Sequence, residues 1–305
     1  MQLKNQKIIK YISVFICTYN RGKLIDGTLE AIIKNQTRIP DEIIIVNGGG
    51  KNDCQPILEK WKNIFNKIII IKTDNINLAA SRNVGLPYCQ GDLILQTDDD
   101  ARPFPDWIES TIEAHQVYST TGVIGGDVID AVGQTFLSQI ADIATFPHYC
   151  TIKNVQTVPG VNVSYKKEVI DQVGKYDETL FRGEDVDYNW RAIKKGWSVI
   201  YVPKIKVYHI HRPTWNGLFM QHYMYGRAHF LVREKWPDMY SYYPMKIDSI
   251  YSFLKWLASW FWFPWIDAYR KSKNMKNVTN GFDFIVLGLI NIGNRIGIAI
   301  QRNII

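Results

Sequence analysis

Asp92-Leu93-Ile94-Leu95-Gln96-Thr97-Asp98-Asp99-Asp100 is an aliphatic run that ends in three consecutive carboxylates. Leu93-Ile94-Leu95 reads as a strand buried on both faces. Three adjacent carboxylates at the end of such a strand repel one another and lose hydration unless a positive charge sits among them. A divalent cation, which takes oxygen ligands, meets that need. A solvated acidic turn is the plainer alternative, and an isolated Asp-Asp-Asp does not choose between them.

The chain before this stretch repeats one pattern. Residues 12–17 (ISVFIC), 41–46 (DEIIIV) and 67–71 (KIIII) read as further strands, and 92–96 as the fourth. Helical segments are expected at 24–35, 55–66 and 79–88 between them. Continuous Ile/Val/Leu strands alternating with helices indicate a parallel sheet covered on both sides. In such folds ligands bind at the carboxyl ends of the strands. The polar turns Thr18-Tyr19-Asn20-Arg21-Gly22, Asn47-Gly48-Gly49-Gly50 and Asp98-Asp99-Asp100 all fall at those ends. Gly48-Gly49-Gly50 lacks the spacing of a Walker or dinucleotide loop. A flexible turn that lets backbone approach a ligand accounts for it.

After residue 120 the pattern changes, with strands expected at 123–132 and 199–209 and helices at 168–173 and 185–195. Gly183-Glu184-Asp185-Val186-Asp187 puts three carboxylates at a helix start. The helix dipole favours them there, but capping uses only one, so a functional role for at least one of the others is expected. Val207-Tyr208-His209-Ile210-His211-Arg212 places two histidines on one strand face. As a bare pattern this is a satisfied or exposed pair as readily as a cation site.

Several stretches then fall into one order. CTYNR after the first strand, EIIIVNGGG followed by Asp53, and NLAASRNVGLPYCQGDLILQTDDD come first. PGVNVSYKKEVIDQVGKYDETLFRGEDVDYNWRAIKKGW and VYHIHR follow. Together, over roughly residues 12–235, they resemble the family 2 glycosyltransferases of the GT-A fold. The resemblance implies a Rossmann-like mixed sheet covered by helices. It also implies transfer of a sugar from a nucleotide-sugar donor, with inversion at the anomeric carbon.

Carried over position by position, the resemblance puts Thr18, Tyr19 and Arg21 in the nucleotide pocket. Asn47 stands where the family has the first Asp of a base-reading DDGS element. Gly48 and Gly50 replace its second Asp and its Ser, which leaves base identity open, since an amide both donates and accepts. Arg82 and Asn83 match an ARN element beside the nucleotide-sugar. Asp98 and Asp100 match the DxD pair, Asp98 toward ribose and metal and Asp100 holding Mn2+ or Mg2+ on the diphosphate. Asp99 falls on the sugar side. Asp185 matches the general base, and Glu184 beside it is expected to bind the nucleotide-sugar. Asn162 is expected to contact donor sugar or acceptor, and His209, with His211 second, metal or diphosphate. No Gln-x-x-Arg-Trp occurs, so single addition is expected rather than processive synthesis.

Composition narrows the partners. Residues 1–203 carry 22 Lys+Arg against 24 Asp+Glu, whereas residues 204–305 carry 14 against 5. Eight of the ten Trp lie from Trp190 onward. Cations mixed with apolar aromatic runs suit an anionic membrane surface better than nucleic acid. Residues 252–266 and 282–300 are apolar but interrupted by Lys255, Pro264, Asp283, Asn291, Asn294 and Arg295. Each falls short of the roughly 20 uninterrupted residues of a spanning helix, so an interfacial helix pair is expected. The four scattered Cys and the absence of a signal-peptide pattern fit a reducing cytosol. The expectations are a transferase domain over 1–235 and a helical, membrane-associated region over 236–305. The enzyme would sit peripherally on the inner face of a bacterial cell membrane, acting in polysaccharide biosynthesis on a glycan or lipid-linked acceptor, with a homo-oligomer open. A nucleotidyltransferase sharing the acidic site lacks its Lys/Gly-rich phosphate loop here. A decayed, non-catalytic scaffold is at odds with the intact Asp98, Asp100 and Asp185.

Overall fold

The computed structural model describes residues 9–131, 135–211, 214–239, 247–272 and 282–304. Arg212, Lys273 and Lys276 lie outside the described residues. The chain forms two compact units, Met1–Ala131 with Tyr149–Ile210, and Val132–His148 with His211–Ile305.

The first unit opens with the expected alternation. It runs β1 (Ile12–Thr18), α1 (Leu24–Ile33), β2 (Glu42–Asn47), α2 (Gln55–Ile64), β3 (Ile68–Lys72), α3 (Leu78–Gly85) and β4 (Leu93–Asp98). The pairs β1–β2, β1–β4 and β2–β3 are parallel. Val14, Phe15, Ile16, Ile43, Ile44, Ile45, Leu93, Ile94 and Leu95 have no solvent exposure. This is why these strands read as unbroken aliphatic runs rather than as alternation.

The sheet then becomes mixed. It gains β5 (Ala101–Pro103), β6 (Thr121–Asp130), β7 (Lys153–Asn154), β8 (Val163–Lys166) and β9 (Ser198–His209). The strand order is β3-β2-β1-β4-β8-β6-β9-β5, with β7 on β9. Strand β8 runs antiparallel to both β4 and β6, so the parallel half and the later strands share one sheet. Helices α4 (Trp107–Val117), α6 (Lys167–Val173) and α7 (Glu184–Lys194) complete the unit. A core of Phe15, Ile94, Val123, Val163, Tyr165, Tyr188 and Val199 ties α7 to this sheet.

The second unit is helical: α5 (Phe136–Thr145), α8 (Trp215–Lys235), α9 (Ile250–Phe261), α10 (Phe263–Ser272) and α11 (Phe282–Ile304). Helices α8 and α11 touch backbone to backbone. A Cβ at Gly226 would lie 1.9 Å from the Asn294 carbonyl oxygen, and one at Gly297 would lie 2.0 Å from that of Tyr223. Only glycine permits either contact. The last segment differs from expectation, because it is one unbroken helix whose Asp283–Arg302 stretch is long and apolar enough to cross a membrane. Its internal polar residues do not interrupt it because they bond to neighbouring helices. Asn291 Nδ2 donates to the Pro264 carbonyl at 2.9 Å, and Asn294 Nδ2 to that of His222 at 3.4 Å.

Candidate active site

The three carboxylates stand at the carboxyl end of β4, in the turn into β5. Strand β9 brings His209 to them. The β5–β9 ladder pairs Ala101 with His209, and Ile210 N–H donates to the Asp100 carbonyl at 3.0 Å. A residue 109 positions downstream is thus delivered by strand register. His209 Nε2 lies 3.3 Å from Asp100 Oδ1. Arg21, in the turn after β1, binds the other Asp100 oxygen and stands 3.7 Å from Asp99. Thr18 Oγ1 donates to Asp99 Oδ2 at 2.7 Å, and Thr28 Oγ1 donates to the Asp99 and Ala101 carbonyls at 2.8 Å each. Of the sequence candidates, Thr18, Arg21, Asp98, Asp99, Asp100 and His209 meet in one place.

Burial sets the charge balance there. It pushes the Asp98 carboxyl up, with Asp100 adding to the effect. It raises Asp99 to about 7, again with Asp100 contributing. Asp100 is buried too, yet its hydrogen bond to His209 and the charges of His209 and Arg21 hold it well below the usual carboxylate range. His209 responds in kind: burial opposes its protonation, but Asp100 raises it. Two of three carboxylates therefore carry their charge at a cost that a further cation would relieve.

Asp98, Asp100 and His209 each offer one ligand atom, all within 4.8 Å of one another. Two carboxylate oxygens and an imidazole nitrogen form a donor set that fits a divalent metal. The electrostatics just described point the same way.

The second acidic cluster resolves into separate parts. Gly183 caps α7 at φ +78°, a left-handed conformation that favours glycine. Glu184 forms a buried ion pair with Arg82, at 2.5 Å from its Nη1. Asp187 accepts from Arg191 Nε at 2.8 Å. Asp185, half-buried, instead accepts from backbone: Gly160 N–H at 2.9 Å and Val186 N–H at 2.9 Å. Two of the three acids are thus spent on arginines, and the third is aimed by amides.

The Gly160 turn that aims it is itself pinned. Gln96 Nε2 donates to the Gly160 carbonyl at 2.9 Å, and Tyr176 Oη donates to Gln96 Oε1 at 3.2 Å. A Cβ at position 160 would meet Arg82 Nη2 at 2.6 Å. Gln96, on β4, thereby links the strand bearing Asp98 to the group that orients Asp185. Arg82 also acts on both clusters, lowering Asp98 and Glu184 against the push of burial.

Other sequence candidates have their polar groups committed. Asn162 accepts from Trp107 Nε1 at 2.9 Å and donates to the Asp127 and Ile205 carbonyls at 2.9 and 3.1 Å. Asn83 clasps the turn at Tyr176 through both the N–H and the carbonyl of that residue, and also donates to Glu178 Oε1. Asn47 Nδ2 donates to Asp53 Oδ1 at 2.8 Å and Gln55 Oε1 at 3.0 Å, while its Oδ1 accepts from Gly49 N–H. Tyr19 is exposed. His211 belongs to the helical unit, where its Nε2 lies 3.3 Å from Asp142 Oδ1.

Asn47, Gly48, Gly49, Asp53, Lys72, Thr73 and Asp74 line a pocket at the ends of β2 and β3. Sequence reasoning left Lys72, Asp74, Gly160 and Gln96 without roles. Lys72 and Asp74 follow a strand end and were open to the same argument as the other turns. Gly160 acts through its backbone and Gln96 from inside a strand, and neither leaves a sequence signal.

The acidic cluster at the strand ends of the mixed sheet and the amide-oriented carboxylate at a helix start lie where α/β folds bind their ligands. The sequence matches the Glycosyl transferase family 2 over residues 13–173, and the chain belongs to that family. Transfer of a sugar is the activity for which that family is named. It is 27% identical over 247 residues to chondroitin synthase of Escherichia coli, covering 69% of this chain and 36% of that protein. It is 26% identical over 185 residues to glucosyl-dolichyl phosphate glucuronosyltransferase of Haloferax volcanii, covering 57% and 58%. The chain thus spans about a third and just over half of the length of these two relatives. Glycosyltransferase AglE of Haloferax volcanii is 23% identical, with 73% and 74% covered. In fold the chain is similar to the mannosyltransferase PcManGT from Pyrobaculum calidifontis, solved in complex with GDP-Man and Mn2+. The TM-score is 0.64 at 13% identity, over 94% of this chain and 86% of that one.

Proposed function

We propose that the enzyme moves a single sugar from a UDP-type nucleotide-sugar to a glycan or lipid-linked acceptor, with inversion, at a divalent metal site. The observation that carries this reading is the division of labour at the start of α7. Glu184 and Asp187 are neutralised by Arg82 and Arg191, which leaves Asp185 as a carboxylate oriented by amides. A general base needs a fixed position and a lone pair not claimed by a cation.

Asp185 takes the proton of the acceptor hydroxyl as its oxygen bonds to the anomeric carbon. On the opposite face the bond from that carbon to the diphosphate oxygen breaks, which inverts the configuration. The leaving group departs as nucleoside diphosphate. Bound at Asp98, Asp100 and His209, Mn2+ or Mg2+ would offset the charge that develops on that diphosphate. The imidazole ligand favours Mn2+, because Mg2+ prefers an all-oxygen shell. Arg21 adds a cation on the same side. Asp98 reaches the ribose and Asp99 the sugar.

Thr18 and Tyr19 line the nucleotide pocket. Both amide hydrogens of Asn47 are committed, so Asp53, which it orients and which lines the same pocket, reads the base. Arg82, Asn83, Asn162 and Glu184 act as supports behind the donor. Attachment to the inner face of a membrane goes with a lipid-linked acceptor.

The test is Asp185→Asn with a panel of UDP, GDP and dTDP sugars. Donor binding by calorimetry in manganese should survive, and acceptor-dependent release of nucleoside diphosphate should be lost. Retained transfer removes Asp185 from its role.

A further inference from the structure

Helix α9 is built inside out. Ile250, Leu254, Leu257 and Phe261, spaced four, three and four residues apart, form one stripe along it. Ile250 is 75% exposed, Leu254 54% and Phe261 66%, and Trp262 just beyond is 67% exposed. On the opposite side lie Ser252 and Ser259, at 7% and 4%. A surface helix of a water-soluble unit turns its aliphatic stripe inward and its serines outward. Here the serines are buried and their hydroxyls bond to their own helix, Ser252 Oγ to the Ser249 carbonyl at 2.8 Å and Ser259 Oγ to that of Trp256 at 2.6 Å. The small side chains therefore serve packing, and the large apolar ones face outward.

Helix α10 continues the pattern. Ala268 is fully buried while Ile266 and Tyr269 are exposed. The same face carries cations. Lys255 Nζ stands 4.4 Å over the Tyr251 ring, and Arg270 is exposed next to Tyr269. Residues 246–276 hold six Lys/Arg against two Asp/Glu.

We infer that the exposed face of α9 and α10 docks on an anionic lipid bilayer, with the helices in the plane of the interface. An aliphatic and Phe stripe supplies insertion into the acyl boundary. Tyr251, Trp262 and Tyr269 are amphipathic rings suited to headgroup depth, and the exposed Lys255 and Arg270 meet lipid phosphates. A contact between protein copies would deplete lysine at such a face. This deepens the membrane attachment proposed above by assigning it to α9 and α10. Helix α11 instead packs one face against α8 through Gly226 and Gly297 and places Leu287 and Ile290 in the core of the helical unit.

The experiment is co-sedimentation of the full chain with phosphatidylcholine vesicles, with and without phosphatidylglycerol. Binding should require the anionic lipid and fall with added salt. The double variant Leu254→Glu/Phe261→Glu should partition at least roughly tenfold less, with nucleoside diphosphate release unchanged. Lys255→Glu/Arg270→Glu, at exposed positions that the fold does not need, should lose the preference for phosphatidylglycerol. Alkaline carbonate should strip the wild-type chain from the vesicles. Unchanged binding in both double variants overturns the inference. So does carbonate resistance, which would assign attachment to a spanning α11. So does a dimer that Leu254→Glu/Phe261→Glu converts to monomer while vesicle binding persists. Failure of Asp185 as the base would leave all these vesicle measurements where they are.

Discussion

Replacing Glu184 with Gln and Asp185 with Asn, one at a time, separates two adjacent carboxylates that sequence alone cannot tell apart. Glu184 and Arg82 are 5% and 2% exposed and 2.5 Å apart. Glu184→Gln keeps the shape but leaves the buried Arg82 guanidinium without its paired anion. Breaking a buried pair from one side costs about 3–5 kcal/mol, a large share of the roughly 5–15 kcal/mol that holds a domain together. Asp185 is half-buried and bonded only to the Gly160 and Val186 amides among the described residues. Asn at that position keeps an acceptor oxygen, so about 1 kcal/mol of stability is at stake. Its rate effect is the larger one: a lost general base lowers kcat by about 10²–10⁴-fold. Urea denaturation followed by fluorescence, beside nucleoside diphosphate release at saturating donor, reads both quantities. The expected pattern is crossed, with Glu184→Gln unstable and Asp185→Asn stable but inactive. A third variant, Arg82→Met/Glu184→Gln, removes both charges and should recover most of the lost stability. If Asp185→Asn destabilises as much as Glu184→Gln, or if the double variant recovers nothing, the assigned division of labour at α7 is wrong.

Further outcomes follow from the same geometry. Asp100→Ala should abolish manganese-dependent UDP binding, measured by calorimetry with and without the ion; equal heats under both conditions would exclude Asp100 as a ligand. Asp53→Asn should weaken nucleotide binding by about tenfold or more, the worth of one charge-assisted hydrogen bond, and an unchanged dissociation constant would return base reading to another residue. His115 is buried against Ser164 Oγ at 2.9 Å, and burial lowers it to about 3. Between its ordinary value near 6.5 and about 3, the unfolded chain binds a proton that the folded one refuses. Stability should therefore fall as pH drops through that window, by up to about 1.4 kcal/mol per pH unit. Urea midpoints at pH 7 and pH 5 measure the slope, and an identical slope in His115→Gln would show that the effect lies elsewhere.

The parallel half of the sheet was legible because its strands are buried on both faces. Runs such as Ile43-Ile44-Ile45 and Leu93-Ile94-Leu95 have no other use, and their polar ends mark the site by position alone. The later strands were harder to see. Strand β8 is four residues long and β5 three, too short for any periodicity, and both exist because β4 and β9 offer them backbone partners. Helix α4 buries Ser110, Thr111 and His115 on its inner face, so its pattern does not read as amphipathic. Asp98, Asp99, Asp100 and Asp185 were found from residue type and place in the chain. Their differences were not, since four carboxylates look alike until their neighbours are known.

By itself, then, the sequence determined the strand–helix alternation, the location of the site at the strand ends and the family, because burial and turn chemistry act over a few residues. Only the tertiary structure decided which acid is neutralised and which is left available. Arg82 reaches Glu184 across 102 positions, Gly160 reaches Asp185 across 25, and His209 meets Asp100 through the register of β5 and β9. Charge in a buried site is set by what lies within a few ångströms, and chain distance says nothing about that.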